Sequence, residues 1–109
     1  RIGVVGHPRY TSLHTAVETV IEFAREQGME ITVQPDLLAA GLTTDPLDPE
    51  DVASLDLLIT FGGDGTLLRG ARMVAPYGVP VLGVNLGKVG FMSGMLPEEM
   101  ETGVTKVIE

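Results

Sequence analysis

The sequence predicts an α/β domain, an open and mostly parallel sheet with helices on both faces. Three observations predict it. Short apolar runs alternate with amphipathic helical stretches along the chain, and that alternation calls for parallel strands joined by crossover helices. Glycines, 14 in all, gather where two of those runs end. Finally, 109 residues with 44% hydrophobic and 20% charged content make one ordinary globular domain.

Ile2 to Gly6 is apolar throughout and ends in glycine, the pattern of a strand buried on both faces. A loop at His7-Pro8-Arg9-Tyr10 follows. Leu13, Ala16, Val17, Val20, Ile21 and Ala24 then recur at helical spacing, so this helix should bury one stripe. Thr11 or Ser12 can cap its start, and Gly28 supplies a left-handed stop. Glu30 to Gln34 alternates around Ile31 and Val33 as a second strand. Between Pro35 and Asp51 the periodicity fails, with Gly41, Pro46 and Pro49 as punctuation. We expect an irregular connection there, with one helical turn at Leu37 to Ala40.

Leu57 to Phe61 is the third predicted strand, and Gly62-Gly63-Asp64-Gly65 turns it directly into a helix. That helix should carry Leu67, Leu68, Ala71, Met73 and Val74 as its apolar residues and end at Pro76. Val79 to Val84 is the fourth strand, and Asn85 to Gly94 is a glycine-studded loop. Pro97 opens a last helix at its first-turn position, with Met100, Val104, Val107 and Ile108 on one face.

Composition excludes several functions. Seven basic against fifteen acidic residues leave a net charge of −8, the wrong sign for a partner recognised by its phosphate backbone. With no cysteine, disulfides and thiolate metal sites are excluded. No apolar run approaches the roughly 20 residues of a membrane span, and no signal-peptide pattern precedes the first strand. The expectation is a soluble cytoplasmic domain.

In open sheets of this class ligands sit beyond the carboxyl ends of the strands. The site should therefore lie at Gly62 to Arg69 and Asn85 to Phe91. Gly62 and Gly63 carry no β-carbon to keep a ligand from the main chain. The amides that follow open a helix and lack acceptors, so a phosphate there gains directed hydrogen bonds. The helix dipole adds about 0.3–1 kcal/mol. A carboxylate at Asp64 would repel such a ligand unless it has a task, either taking a proton from an attacking hydroxyl or holding a divalent cation. Both tasks belong to phosphoryl transfer. The structural alternative is that Asp64 only caps the helix and the glycines only permit a tight turn.

Arg69 is close enough in sequence to reach back to the turn, although a solvated arginine is the commoner finding. Thr66 reads as a helix-start residue and Lys88 as a loop cation. Gly83 to Lys88 is not a P-loop: three residues separate its glycines, and Val89 stands where Ser or Thr is required. Phe91 offers either a stacking face for a base or a core anchor for its loop. His7 and His14 lack co-ligands for a metal, and Met92, Met95 and Met100 read as core.

Gly62-Gly63-Asp64-Gly65-Thr66-Leu67-Leu68-Arg69 resembles the Gly-Gly-Asp-Gly-Thr signature of NAD kinases, a core shared with diacylglycerol and sphingosine kinases and similar in 6-phosphofructokinase. Asn85-Leu86-Gly87-Lys88-Val89-Gly90-Phe91 looks like the Asn-x-Gly-x-x-Gly-Phe segment that NAD kinases carry one strand later, with Met92 where leucine is common.

The resemblance implies a Rossmann-like N-terminal domain of the NAD kinase and diacylglycerol kinase type. It implies transfer of a phosphoryl group from ATP or polyphosphate to the adenosine ribose 2′-hydroxyl of NAD, giving NADP. By analogy Asp64 is the general base, and Asp64, Gly65, Arg69 and Phe91 contact the nucleotides, Gly65 through its main chain and Phe91 in the adenine pocket. A divalent metal, magnesium, would accompany the triphosphate. Family members also carry a C-terminal β-rich domain with an Asn-Glu pair, and no Asn-Glu dipeptide occurs here. Residues 1–109 are accordingly expected to be the N-terminal nucleotide-binding domain, inactive alone, of a homo-oligomer (dimer or tetramer). Two alternatives share the turn: a lipid or sugar kinase, and a non-catalytic nucleotide-binding module.

Overall fold

A computed structural model describes residues 1–7, 13–38 and 44–85. Its five strands are β1 (Ile2–Gly6), β2 (Ile31–Val33), β3 (Asp45–Pro46), β4 (Leu57–Gly62) and β5 (Val81–Asn85). All pairings are parallel, in the order β3-β2-β1-β4-β5. The helices are α1 (Leu13–Glu26), α2 (Pro35–Leu38) and α3 (Asp64–Val74), with 3₁₀ segments at Pro49–Ser54 and Ala75–Tyr77. The predicted open parallel α/β sheet is what the chain forms.

The β1 and β4 strands are the fully buried centre, which is why they read as unbroken apolar runs. Ile2, Val4, Leu57, Ile59 and Phe61 face α1 and pack with Leu13, Val17, Val20 and Ile21. On the opposite face Val5, Leu58 and Val74 form a second cluster with Leu47, Val52, Leu55 and Val79. The six predicted inward residues of α1 are its six buried residues. Gly28 follows the helix with φ 70°, the left-handed stop that only glycine adopts without strain.

Three elements differ from the sequence reading. The stretch from Pro35 to Asp51 contains a strand as well as a helical turn. Asp45 and Pro46 pair with Thr32 and Val33, and the Leu47 amide donates to the Val33 carbonyl at 2.7 Å. A two-residue edge strand is too short for any alternation to register, and its proline is tolerated because an edge needs no donor on the outer side. The helical turn sits at Pro35–Leu38, two residues earlier than expected, with Pro35 at its first position. The β5 strand begins at Val81, since Pro80 has no amide to give the ladder; its carbonyl still accepts from Leu58 at 2.9 Å.

The third difference concerns α3. Its buried residues are Thr66, Gly70 and Val74, whereas Leu68 is 52% and Met73 37% exposed. The helix lies so close to β4 that a β-carbon on Gly70 would come within 2.5 Å of Thr60 Cγ2. Small residues therefore face β4, Leu67 packs beside Gly83 of β5, and Leu68 and Met73 are displaced outward. The helix ends at Val74, two residues before Pro76. Thr11 and Ser12, the loop beyond Asn85 and the helix expected from Pro97 lie outside the described residues.

Candidate functional site

Two strand connections run in opposite directions from the centre of the sheet: β1 leads to β2 and β3 on one side, β4 to β5 on the other. The order reverses between β1 and β4, and the crevice outside their carboxyl ends is where such sheets bind ligands. Gly6 pairs with Phe61 there, and the His7 amide donates to the Phe61 carbonyl at 3.2 Å. Gly62 and Gly63 follow at once, and Gly62 lies opposite Asn85 at the end of β5.

Gly63 is the N-cap of α3 and has no side chain with which to cap it. The first bond of the helix runs from the Leu67 amide to the Gly63 carbonyl at 3.1 Å, so the amides of Asp64, Gly65 and Thr66 precede the helical ladder. Asp64 is the first helical residue rather than the cap, and its carboxylate is exposed. The capping alternative for Asp64 is therefore not what this turn shows. Its charge still lies at the favourable end of the helix dipole.

The glycines of the turn have different reasons for being glycine. A β-carbon on Gly62 would sit 2.6 Å from Thr66 Oγ1, so Gly62 makes room for the buried Thr66 rather than for a ligand. At Gly65 a β-carbon would meet no protein atom within 4 Å, and its φ is not positive. Neither packing nor backbone conformation requires glycine at position 65.

Arg69 Nη2 donates to the Gly6 carbonyl at 3.4 Å, so this exposed side chain does reach back across the crevice. Gln34, just past β2, accepts from the Gly6 amide through Oε1 at 3.2 Å and donates through Nε2 to Asp36 Oδ2 at 3.4 Å. Both side chains fix the end of β1. The Gln34 contact was missed in the sequence because its only signal is a place after a strand that becomes the neighbour of β1.

The deciding comparison is with protein families. The model of the ATP-NAD kinase N-terminal domain matches residues 2–109. This chain belongs to that family. Among similar curated proteins are the NAD kinase of Gemmatimonas aurantiaca, 37% identical over 107 residues (98% of this chain, 36% of that protein), and the NAD kinase of Cellvibrio japonicus, 35% identical over 115 residues (98% and 38%). A crystal structure of an NAD kinase from Archaeoglobus fulgidus in complex with ATP shares the fold, with TM-score 0.63 and 21% identity over 100% of this chain and 37% of that one. The chain thus spans little more than a third of the length of the relatives it matches.

Of the four residues expected at the site of an ATP-NAD kinase domain, the structure brings Asp64, Gly65 and Arg69 to one end of the sheet on a single helix. Phe91 lies outside the described residues, as do Lys88, Met92, Met95 and Met100. His14 pairs with Glu18 one turn along α1 (Nδ1 to Oε1, 3.2 Å), a surface arrangement. No cluster of three or more His, Asp or Glu side chains suited to a metal occurs among the described residues. Nor is any helix of the described residues long and apolar enough to cross a membrane.

Proposed function

We propose that the protein carrying this domain is an NAD kinase. It transfers a phosphoryl group from ATP or polyphosphate to the adenosine ribose 2′-hydroxyl of NAD. Family membership supplies the reaction class. The observation that carries the reading to residues is the exposed carboxylate of Asp64 on the first turn of α3, beside the open Gly65 main chain and at the β1/β4 crevice.

In this reading Asp64 accepts the proton of the 2′-hydroxyl as that oxygen bonds to the terminal phosphorus. The bond from that phosphorus to its bridging oxygen breaks, and ADP, or polyphosphate shorter by one phosphate, leaves. The substrate's phosphates approach the amides at the start of α3 through Gly65, and Arg69 neutralises part of their charge. Phe91 lines the adenine pocket. A divalent cation of magnesium type would accompany the triphosphate donor, held by its phosphates rather than by Asp64, and would supply charge neutralisation when bound. The acceptor pocket is completed by a second, β-rich domain, consistent with the greater length of the relatives. The assembly is a homo-oligomer in the cytoplasm.

The test is NADP formation by the complete gene product supplied with NAD, magnesium and either ATP or polyphosphate, beside an Asp64→Asn variant. Loss of a positioned base should lower kcat by about 10²–10⁴-fold with the fold intact by circular dichroism. Undiminished turnover in Asp64→Asn would remove the base from the mechanism. A folded complete protein that makes no NADP with either donor would sink the NAD kinase reading.

A further inference from the structure

The backbone ladder between β1 and β2 stops at Gly6, and two side chains complete it. The Ile2 amide donates to the Glu30 carbonyl and the Gln34 amide to the Val4 carbonyl, both at 2.8 Å. The next bond in this parallel series would run from the Gly6 amide to the Gln34 carbonyl. Instead β2 turns into α2, and the Gln34 carbonyl accepts from the Leu37 amide at 2.9 Å. The Gln34 side chain takes the vacated role, its Oε1 accepting from the Gly6 amide at 3.2 Å.

Ile2 donates toward β2 and Val4 accepts from it, so alternate residues of β1 turn both backbone groups to that side. Gly6 is the next in that series. Its carbonyl accepts from Arg69 Nη2 at 3.4 Å. Gln34 at the end of β2 and Arg69 on α3 therefore hold the two polar groups of one residue, at the carboxyl end of a central strand. The Gln34 amide has a fixed sense as well. Its Nε2 donates to Asp36 Oδ2 at 3.4 Å, and an ionised carboxylate only accepts, so Oε1 is the end that meets Gly6. Both side chains border a groove of about 510 Å³ whose other walls include Val5, Leu47, Met73 and Tyr77. Beside such largely apolar walls, a peptide amide without an acceptor costs more than it does in water.

We propose that Gln34 is a positioning residue for Arg69. By closing the ladder it fixes the Gly6 main chain, and the fixed Gly6 carbonyl aims the guanidinium across the crevice toward the phosphates of a bound nucleotide. One guanidinium donor is taken by Gly6, and the others keep a set direction, so less freedom is lost when an anion arrives. The glycine makes this support necessary. A β-carbon on Gly6 would come within 2.8 Å of Leu13 Cδ1, so packing requires the residue with the softest backbone, and Gln34 stiffens it. The inference rests on the NAD kinase reading for Arg69 as a phosphate contact, and deepens it by naming a residue that acts through Arg69 from another element.

The experiment is a double-mutant cycle in the complete protein, read by calorimetric titration with NAD and with ATP. Gln34→Met keeps the side chain's length and removes its acceptor. It should weaken the same nucleotide that Arg69→Met weakens, by about ten-fold, with the fold intact by circular dichroism. Should methionine prevent folding, Gln34→Asn holds its amide one methylene short of Gly6 and should weaken that nucleotide too. In the Arg69→Met background, Gln34→Met should change affinity by less than about two-fold, because the residue it acts through is gone. A role in folding alone would not be erased in that way. Exchanging the pair, Gln34→Glu with Asp36→Asn, conserves charge and lets the carboxylate at position 34 accept from both Gly6 and the amide at position 36. It should restore wild-type affinity within about two-fold. Additive losses from Gln34→Met and Arg69→Met would overturn the proposal. So would an exchanged pair that binds as weakly as Gln34→Met, or a wild-type protein that binds neither nucleotide. Binding is read without turnover, so a protein that shows the coupling but forms no NADP loses the NAD kinase reading and keeps the role of Gln34.

Discussion

The α1 and α3 helices cover opposite faces of one sheet and obey different rules. Six apolar side chains hold α1 on the sheet, and each was evident in the helical period. The α3 helix rests on Thr66, Gly70 and Val74, with Leu68 and Met73 turned out. The difference teaches what close approach does. A helix spaced from its sheet by large side chains shows its buried face in hydropathy. A helix pressed against a strand uses small residues at the point of closest approach, as Gly70 does at Thr60, and Leu68 and Met73 are left for other surfaces. The close helix is also the one that carries Asp64, Gly65 and Arg69, so tight packing holds its first turn firmly beside the crevice.

The comparison breaks most sharply if atoms are removed from α1. Ile21 is 4% exposed and packed in the cluster under that helix. Ile21→Ala should cost about 2–5 kcal/mol through lost transfer energy and the cavity left behind. Chemical unfolding of the complete protein measures it. A cost near zero would mean that the apolar stripe does not hold α1.

On α3 the damage should come from adding atoms. Gly70→Val places branches where Thr60 Cγ2, at 2.5 Å, and Leu58 Cδ2, at 3.2 Å, already stand, and should cost about 1–3 kcal/mol by overpacking. Gly70→Ala combined with Thr60→Ser sharpens the point. The serine removes the methyl that the new β-carbon meets, so the pair should be less destabilising than the sum of the two single changes. Strict additivity would show that the helix moves away freely.

These two helices also mark what the sequence discloses. The central strands were legible because both faces of β1 and β4 are buried, leaving no polar residue to blur the run. The turn at Gly62 to Gly65 was legible because an apolar strand passes directly into a helix through a short run holding three glycines. The β3 strand was hidden, since two paired residues carry no period, and the inward face of α3 was hidden because glycine and threonine score as polar or neutral. The groove was hidden for a different reason. Val5, Leu47, Met73 and Tyr77 come from separate parts of the chain, and only the sheet order puts them together. Asp64 and Arg69 could be named from one motif, but the reach of Arg69 to Gly6 depends on β1 and β4 being neighbours.

The smallest expected change in stability tests the most specific claim about the turn. Gly65 has open space where a β-carbon would go and a backbone that alanine can adopt. Gly65→Ala should therefore leave stability unchanged or raise it by about 0.4–1 kcal/mol, because alanine loses less freedom on folding. If substrate phosphates approach this main chain, the same methyl group lies in their path and kcat/KM should fall about ten-fold or more, some 1.4 kcal/mol of transition-state binding. Stability and activity would then move in opposite directions from a single methyl group. At Gly62, where a β-carbon meets Thr66 at 2.6 Å, alanine should lower both together. Thermal unfolding and steady-state kinetics on the two variants separate a glycine kept for a ligand from a glycine kept for a neighbour. A fully active Gly65→Ala protein would show that the ligand stays clear of this turn.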